Sequence, residues 1–99
     1  MSFELKRMPT HPGEILREEF LIPLGMSQMK LAKELHVTYR KINEIINEKR
    51  SISPDMALRL AKYFGTTPEF WMNLQIKYDL YKASKKTKIE QITPLAKGN

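Results

Sequence analysis

The chain of 99 residues contains no cysteine. That absence rules out a disulfide scaffold and any cysteine-based zinc site, and it fits a reducing compartment. Only four glycines are present, and none lie in a phosphate-cradling loop. No apolar run approaches the roughly 18 residues a membrane span requires. The N-terminal MSFELKRMPTH lacks the apolar h-region of a signal peptide. The chain therefore reads as cytoplasmic, with no membrane partner. The two histidines, His11 and His36, have neither cysteine companions nor an HExxH spacing, so no metal site and no cofactor are expected. No nucleophile–base–orienter set and no sited pair of carboxylates can be found, so no catalytic residue is assigned and an enzyme is the poorest reading.

What is present is ordinary globular material: 41% hydrophobic and 28% charged residues, enough for one modest core and too much for wholesale disorder. The net charge of +6 is unevenly placed. Residues 1–26 hold three basic and four acidic groups, 27–50 six and three, 51–83 four and three, and 84–99 four and one. The basic excess thus sits in one central segment and in the tail. Two readings stand at this point: a polyanionic partner, or lysines that merely keep a small protein soluble.

Punctuation divides the chain into five short helices. Thr10 or His11 precedes Pro12, a residue suited to the first helical turn, and threonine is the better cap of the two. Ile15, Leu16, Phe20 and Leu21 follow at helical spacing, and Pro23 and Gly25 end the segment. Ser27 caps a second helix with apolar Met29, Leu31, Ala32 and Leu35. Thr38 caps a third that reaches about Glu48, with Val37, Ile42, Ile45 and Ile46 on its buried side. Ser53-Pro54-Asp55 starts a fourth carrying Met56, Leu58, Leu60, Ala61 and Phe64, which Gly65 stops. Thr67-Pro68-Glu69 repeats that start signal before an aromatic-rich fifth helix with Phe70, Trp71, Leu74, Tyr78 and Tyr81. Phe70 and Trp71 are expected in the core, while Tyr78, Leu80 and Tyr81 suit either the core or an interface. Beyond Ala83 the apolar content thins, and a short strand or turn is expected near residues 88–93. The pattern is all-α. It divides into an N-terminal arm (1–9), a helix-turn-helix domain (10–83) and a basic tail (84–99).

The second and third helices are joined only through His36 and Val37, the tight connection of a helix-turn-helix. Glycine is common in such turns; histidine tolerates a positive φ better than a β-branched residue does. Ala32 is small where the two helices cross, and Val37 and Ile42 pin the second against the first. The polar start of the third helix then faces outward with Thr38, Tyr39, Arg40, Lys41, Asn43, Glu44 and Asn47, where a major groove can receive it. Arg40 can bond guanine O6 and N7, and Asn43 can pair with adenine N6 and N7. Tyr39 can meet a thymine methyl or a phosphate. Gln28, at the start of the second helix, can donate to a backbone phosphate. Lys30, Lys49, Arg50 and Ser51 flank the same face. Glu44 repels phosphate, so it must meet a cytosine donor or point aside. The bland reading of Arg40 and Glu44, four apart, is a surface ion pair.

The phrases around this unit, MPTHPGEILREEFLIPLGMSQMKLAKELHV and NEKRSISPDMALRLAKYFGTTPEFWMNLQIKYDL, resemble the HigA (VapI-like) antitoxins of the Xre/Cro-type helix-turn-helix superfamily. The resemblance runs from about Met8 to Ala83. It implies a compact five-helix lambda-repressor-like DNA-binding domain with a short basic C-terminal tail. It also implies a homodimer that binds double-stranded operator DNA, represses its own operon, and neutralises a HigB-type, messenger-RNA-cleaving toxin. The family's DNA-contacting positions fall on Gln28, Thr38, Tyr39, Arg40 and Asn43, and also on Lys41 and Asn47. Lys49 and Arg50 join them from the charge argument as DNA-binding candidates. This chain departs from the family at Glu48, where NEK stands for the usual NGK, which bears on how the recognition helix ends. Glu14, Glu18 and Glu19 on the first helix are either solvated or a docking face for a basic toxin. Two alternatives stay open: a stand-alone helix-turn-helix regulator, and a protein-interaction module without a toxin partner.

Overall fold

The computed structural model describes residues 8–95, so most of the expected N-terminal arm and the end of the tail lie outside the described residues. Five helical segments and no strand are found among them. The first, α1, is a composite: α-helical at Pro12–Ile15, π-helical at Leu16–Leu21 and α-helical again at Ile22–Leu24. It is followed by α2 (Gln28–Leu35), α3 (Tyr39–Ile46), α4 (Pro54–Phe64) and α5 (Pro68–Ser84). The tail contributes a single 3-10 turn at Ile89–Gln91 where a strand or turn was expected.

Four helices start as their sequences dictate. The hydroxyls of Ser27, Thr38, Ser53 and Thr67 accept from the backbone N–H three residues on, at 3.0–3.1 Å, which satisfies an amide the helix itself cannot pair. The start of α1 differs from expectation. His11, not Thr10, is the cap: its Nδ1 accepts from the Gly13 N–H at 2.8 Å. The imidazole is only 4% exposed and sits edge-on to the Tyr78 ring, with centroids 4.7 Å apart. A cap that also fills a hole in the core has an advantage that a solvent-exposed threonine lacks. Burial lowers the His11 pKa; Glu48 and Asp79 oppose that by favouring the charged ring, while Lys82 adds to it.

Pro23 does not stop α1, contrary to the punctuation. A regular α-turn would press its ring against the carbonyl four residues back. The wide turn upstream, in which the Ile22 N–H reaches the Arg17 carbonyl, absorbs the proline. The helix ends at Gly25, the other terminator expected, whose φ of 61° is left-handed, with the Met26 N–H closing back on the Leu21 carbonyl at 2.9 Å.

The core is formed by Leu16, Leu31, Ile42, Ile45, Met56, Leu60 and Trp71, all essentially sealed from solvent. Burying one such side chain contributes about 1.5–3 kcal/mol. The Trp71 indole N–H donates to the Thr66 hydroxyl at 2.8 Å, so its polar atom is satisfied within the fold. Phe70 does not join it: it is 39% exposed and lies edge-on against the indole. Met29 and Leu58, counted among the apolar residues of α2 and α4, are 67% and 59% exposed. Position alone could not separate them from the buried face, because each stands three residues before a buried alanine, Ala32 and Ala61. Among the described residues no helix is long and apolar enough to cross a membrane.

Candidate nucleic-acid interface

The α2–α3 connection is built from local chemistry. His36 adopts φ 59°, ψ 44°, so the left-handed turn forms on a histidine. The Val37 N–H then closes on the Ala32 carbonyl at 3.0 Å. Thr38 is extended and starts α3. Arg59 braces the same turn from α4: its Nη1 donates to the Leu35 carbonyl at 2.7 Å, while its Nε holds Asp55 at 2.9 Å. The pair of Asp55 and Arg59 can be read from spacing; the long reach to Leu35 cannot, and sequence reasoning missed it.

With Ile42, Ile45 and Ile46 buried, α3 turns its other side outward. Tyr39 and Arg40 are exposed, and Asn43 is half-buried. The polar side chains are not independent. Asn43 Nδ2 donates to Gln28 Oε1 at 3.0 Å and lies 3.4 Å from the Tyr39 hydroxyl. Asn47 Nδ2 donates to Asn43 Oδ1 at 3.1 Å. Gln28, Tyr39, Asn43 and Asn47, named separately from the sequence, thus form one hydrogen-bonded group across the two helices. An Asn43 that pairs with a base must exchange these bonds for new ones.

Glu44 is neither free nor turned to a base. Its Oε2 accepts from Arg40 Nε at 3.0 Å, and its Oε1 accepts from Arg50 Nε at 2.9 Å and lies 2.7 Å from Arg50 Nη2. Hydrogen bonds from Arg40 and Arg50, in that order, hold the Glu44 carboxyl below the usual carboxylate range. Arg50, expected as a flanking phosphate ligand, is thereby drawn onto α3. Thr38 Oγ1 is occupied by the Lys41 N–H as a cap. Lys41 is half-buried, and Lys49 and Ser51 are exposed in the following loop. Lys30 is held along its own helix by Glu34 at 3.2 Å.

The end of α3 answers the question raised by Glu48. The helix stops at Ile46, short of the expected Glu48, and Asn47 is its C-cap. Glu48 itself takes the left-handed conformation, φ 60°, that glycine adopts more readily. Its N–H reaches the Ile45 carbonyl at 3.0 Å, and the Lys49 N–H reaches the Glu44 carbonyl at 2.8 Å. The loop then runs to Ile52, whose N–H donates at 2.7 Å to Oε1 of Gln75, a buried side chain on α5. This anchor was also missed, although it sits in the PEFWMNLQ phrase. Among the described residues no group of three or more His, Asp or Glu side chains could hold a metal ion.

The Helix-turn-helix family model matches residues 16–71, from the π-helical part of α1 to the first turn of α5. Virulence-associated protein I of Dichelobacter nodosus is 53% identical over 87 residues, which are 87% of this chain and 81% of that protein. An addiction module antidote protein of the HigA family from Coxiella burnetii superposes with a TM-score of 0.84 at 53% identity, over 89% of this chain and 99% of that one. The antitoxin HigA of Pseudomonas aeruginosa, solved with higBA promoter, gives 0.82 at 48% identity, over 89% and 99%. The chain belongs to the HigA (VapI-like) family of helix-turn-helix proteins. The family's helix-turn-helix is here the α2–α3 pair, and the matched span contains every candidate contact residue from Gln28 to Arg50.

Proposed function

We propose that this chain is a sequence-specific DNA-binding repressor that also serves as the antitoxin of a HigB–HigA toxin–antitoxin pair, with no catalysis of its own. The observation that carries the reading is the polar start of α3. Tyr39, Arg40 and Asn43 stand clear of the core on a turn-and-helix unit held by Val37, Ile42 and Arg59. Support comes from the antitoxin HigA of Pseudomonas aeruginosa, 48% identical and solved with promoter DNA.

In this reading α3 lies in the major groove. Arg40 faces a guanine, Asn43 an adenine, and Tyr39 a thymine methyl or a phosphate. Gln28, Thr38, Lys41, Asn47 and Lys49 fix register on the phosphates, and Arg50 stands beside them paired with Glu44. The domain spans 10–83, with an arm at 1–9 and a basic tail at 84–99 that adds positive charge. Two copies place their α3 helices in successive major grooves, about 34 Å apart, on a palindromic operator. A separate surface takes the toxin.

Gel-shift titration against the DNA upstream of the chain's own reading frame tests the repressor half. The expected result is preference over scrambled DNA in moderate salt, and its absence rejects this half. Arg40→Ala should cost about 1–3 kcal/mol at one base pair, whereas Gln28→Ala should weaken all sequences evenly. Rescue of growth on co-expression with an adjacent ribonuclease-like frame tests the antitoxin half, and failure to rescue rejects it.

A further inference from the structure

We infer that Glu44 is a positioning residue for base recognition, holding Arg40 and Arg50 in a shared clamp before DNA arrives. The inference rests on the DNA-binding reading above and adds to it a residue that charge alone would place against it. A carboxylate on a face meant for phosphates is a cost unless it is neutralised. Here two arginines from different elements converge on its two oxygens: Arg40 from the first turn of α3 on Oε2, and Arg50 from the loop beyond α3 on Oε1. An ordinary surface pair four residues apart needs only the first of these and contributes little. The second fixes the loop to the helix.

The geometry also decides which part of Arg40 remains available. A guanidinium carries five N–H donors in a rigid fork. Glu44 takes the Nε–H at 3.0 Å, which leaves the terminal nitrogens to lead. The Arg40 side chain is 84% exposed, that of Glu44 only 26%. The acid therefore sits at the base of the arginine and the fork projects beyond it. A long side chain restrained in this way loses less freedom on meeting guanine O6 and N7, and its approach angle is fixed. Arg50, held by Nε and Nη2, is kept from wandering to a phosphate.

The test uses the full chain and its upstream DNA, with each base pair of the site replaced in turn, at several salt concentrations. For Glu44→Gln, discrimination at the base pair read by Arg40 should fall about tenfold, within the range one bidentate contact commands. Affinity for scrambled DNA should rise, and the logarithmic salt slope should steepen by about 0.9 as Arg50 gains a phosphate. In an Arg40→Ala background, Glu44→Gln should change discrimination no further, because Glu44 acts through Arg40. In the free protein, the Arg40 and Arg50 Nε–H resonances should be distinct and protected from exchange, and should lose both properties in Glu44→Gln. Wild-type discrimination and slope retained by a normally folded Glu44→Gln variant would overturn the clamp and leave the DNA reading intact. Additive losses in the double variant would overturn it too. A wild-type chain that fails to prefer its upstream DNA would remove the DNA reading and the clamp with it.

Discussion

Gln75 offers the sharpest test of how the recognition helix is held. It lies on α5 and is 4% exposed, yet it is polar at both ends. Its Oε1 accepts from the Ile52 N–H at 2.7 Å, and its Nε2 donates to Asp79 at 3.0 Å. Ile52 is 2% exposed, so water offers its amide no ready substitute. Replacing Gln75 with alanine leaves that N–H unpaired in the interior, at about 1–3 kcal/mol. It also removes side-chain packing worth about 0.8 kcal/mol per buried methylene. Together the loss is about 2–4 kcal/mol. Gln75→Met fills nearly the same space and removes both hydrogen bonds while keeping the packing; the unpaired Ile52 N–H dominates, because Asp79 can turn to water, so it should lose about 1–3 kcal/mol. For a domain of this size, 2 kcal/mol corresponds to a Tm drop of about 8–16 °C. Urea unfolding followed by far-ultraviolet circular dichroism at one fixed chain concentration measures both variants, because association would add its own stability. Hydrogen exchange of the Ile52 amide reports the bond directly, and its protection should fall in both. If Gln75→Met is as stable as wild type and Ile52 stays protected, the hydrogen bond is not what anchors this loop, and the reasoning fails.

Other perturbations reach different parts of the same assembly. A Cβ on Gly13 would overlap the Ile45 carbonyl oxygen, where α1 meets the end of α3. Gly13→Ala should therefore cost about 1–3 kcal/mol as α1 backs away, and a denaturation midpoint within error of wild type would contradict that contact. The His11 pKa is lowered from 6.5 on folding, so the unfolded chain binds more protons than the native one between the two values. Stability is then full above about pH 6.5 and falls as pH drops through that value toward the folded pKa. Thermal melts between neutral and mildly acid pH should show this slope, and His11→Asn, which can still cap, should flatten it. Glu48→Gly relieves a left-handed residue at about 1–2 kcal/mol and gives back about 0.5–1 kcal/mol in chain entropy. A small net gain in stability is expected, and a clear loss would mean that the Glu48 side chain holds more than its backbone costs.

The legible parts of this protein are those whose causes are near in sequence. Ser27, Thr38, Ser53 and Thr67 each bond an amide three residues on, so a cap is decided within one turn. The left-handed turn at His36 and the polar start of α3 are local in the same sense. Most of the misreadings arise where a distant contact overrules a local preference, and one where an irregular turn does. Thr10 is a better cap than His11 only until Tyr78, on α5, closes over the imidazole. Pro23 ends a helix only if the turn before it is regular, and that turn is wide. Met29 and Leu58 look like their buried neighbours until the packing leaves them outside.

The same division runs through the candidate site. Its chemistry could be read from residue types and spacing: an arginine, two asparagines and a tyrosine on one exposed helical stretch. Its aim could not. The turn before α3 is held by Arg59 on Leu35, 24 residues apart, and the loop after it by Gln75 on Ile52, 23 apart. Neither residue would touch a base, and neither belongs to a recognisable contact pattern. Yet an error of an ångström in the placement of α3 would move Arg40 and Asn43 out of reach of base edges, where a hydrogen bond tolerates only a few tenths. Variants at Arg59 and Gln75 should therefore lower operator and scrambled-DNA affinity together if they only unfold the domain. They should lower operator affinity first if, as the geometry implies, the two ends of α3 are what they hold.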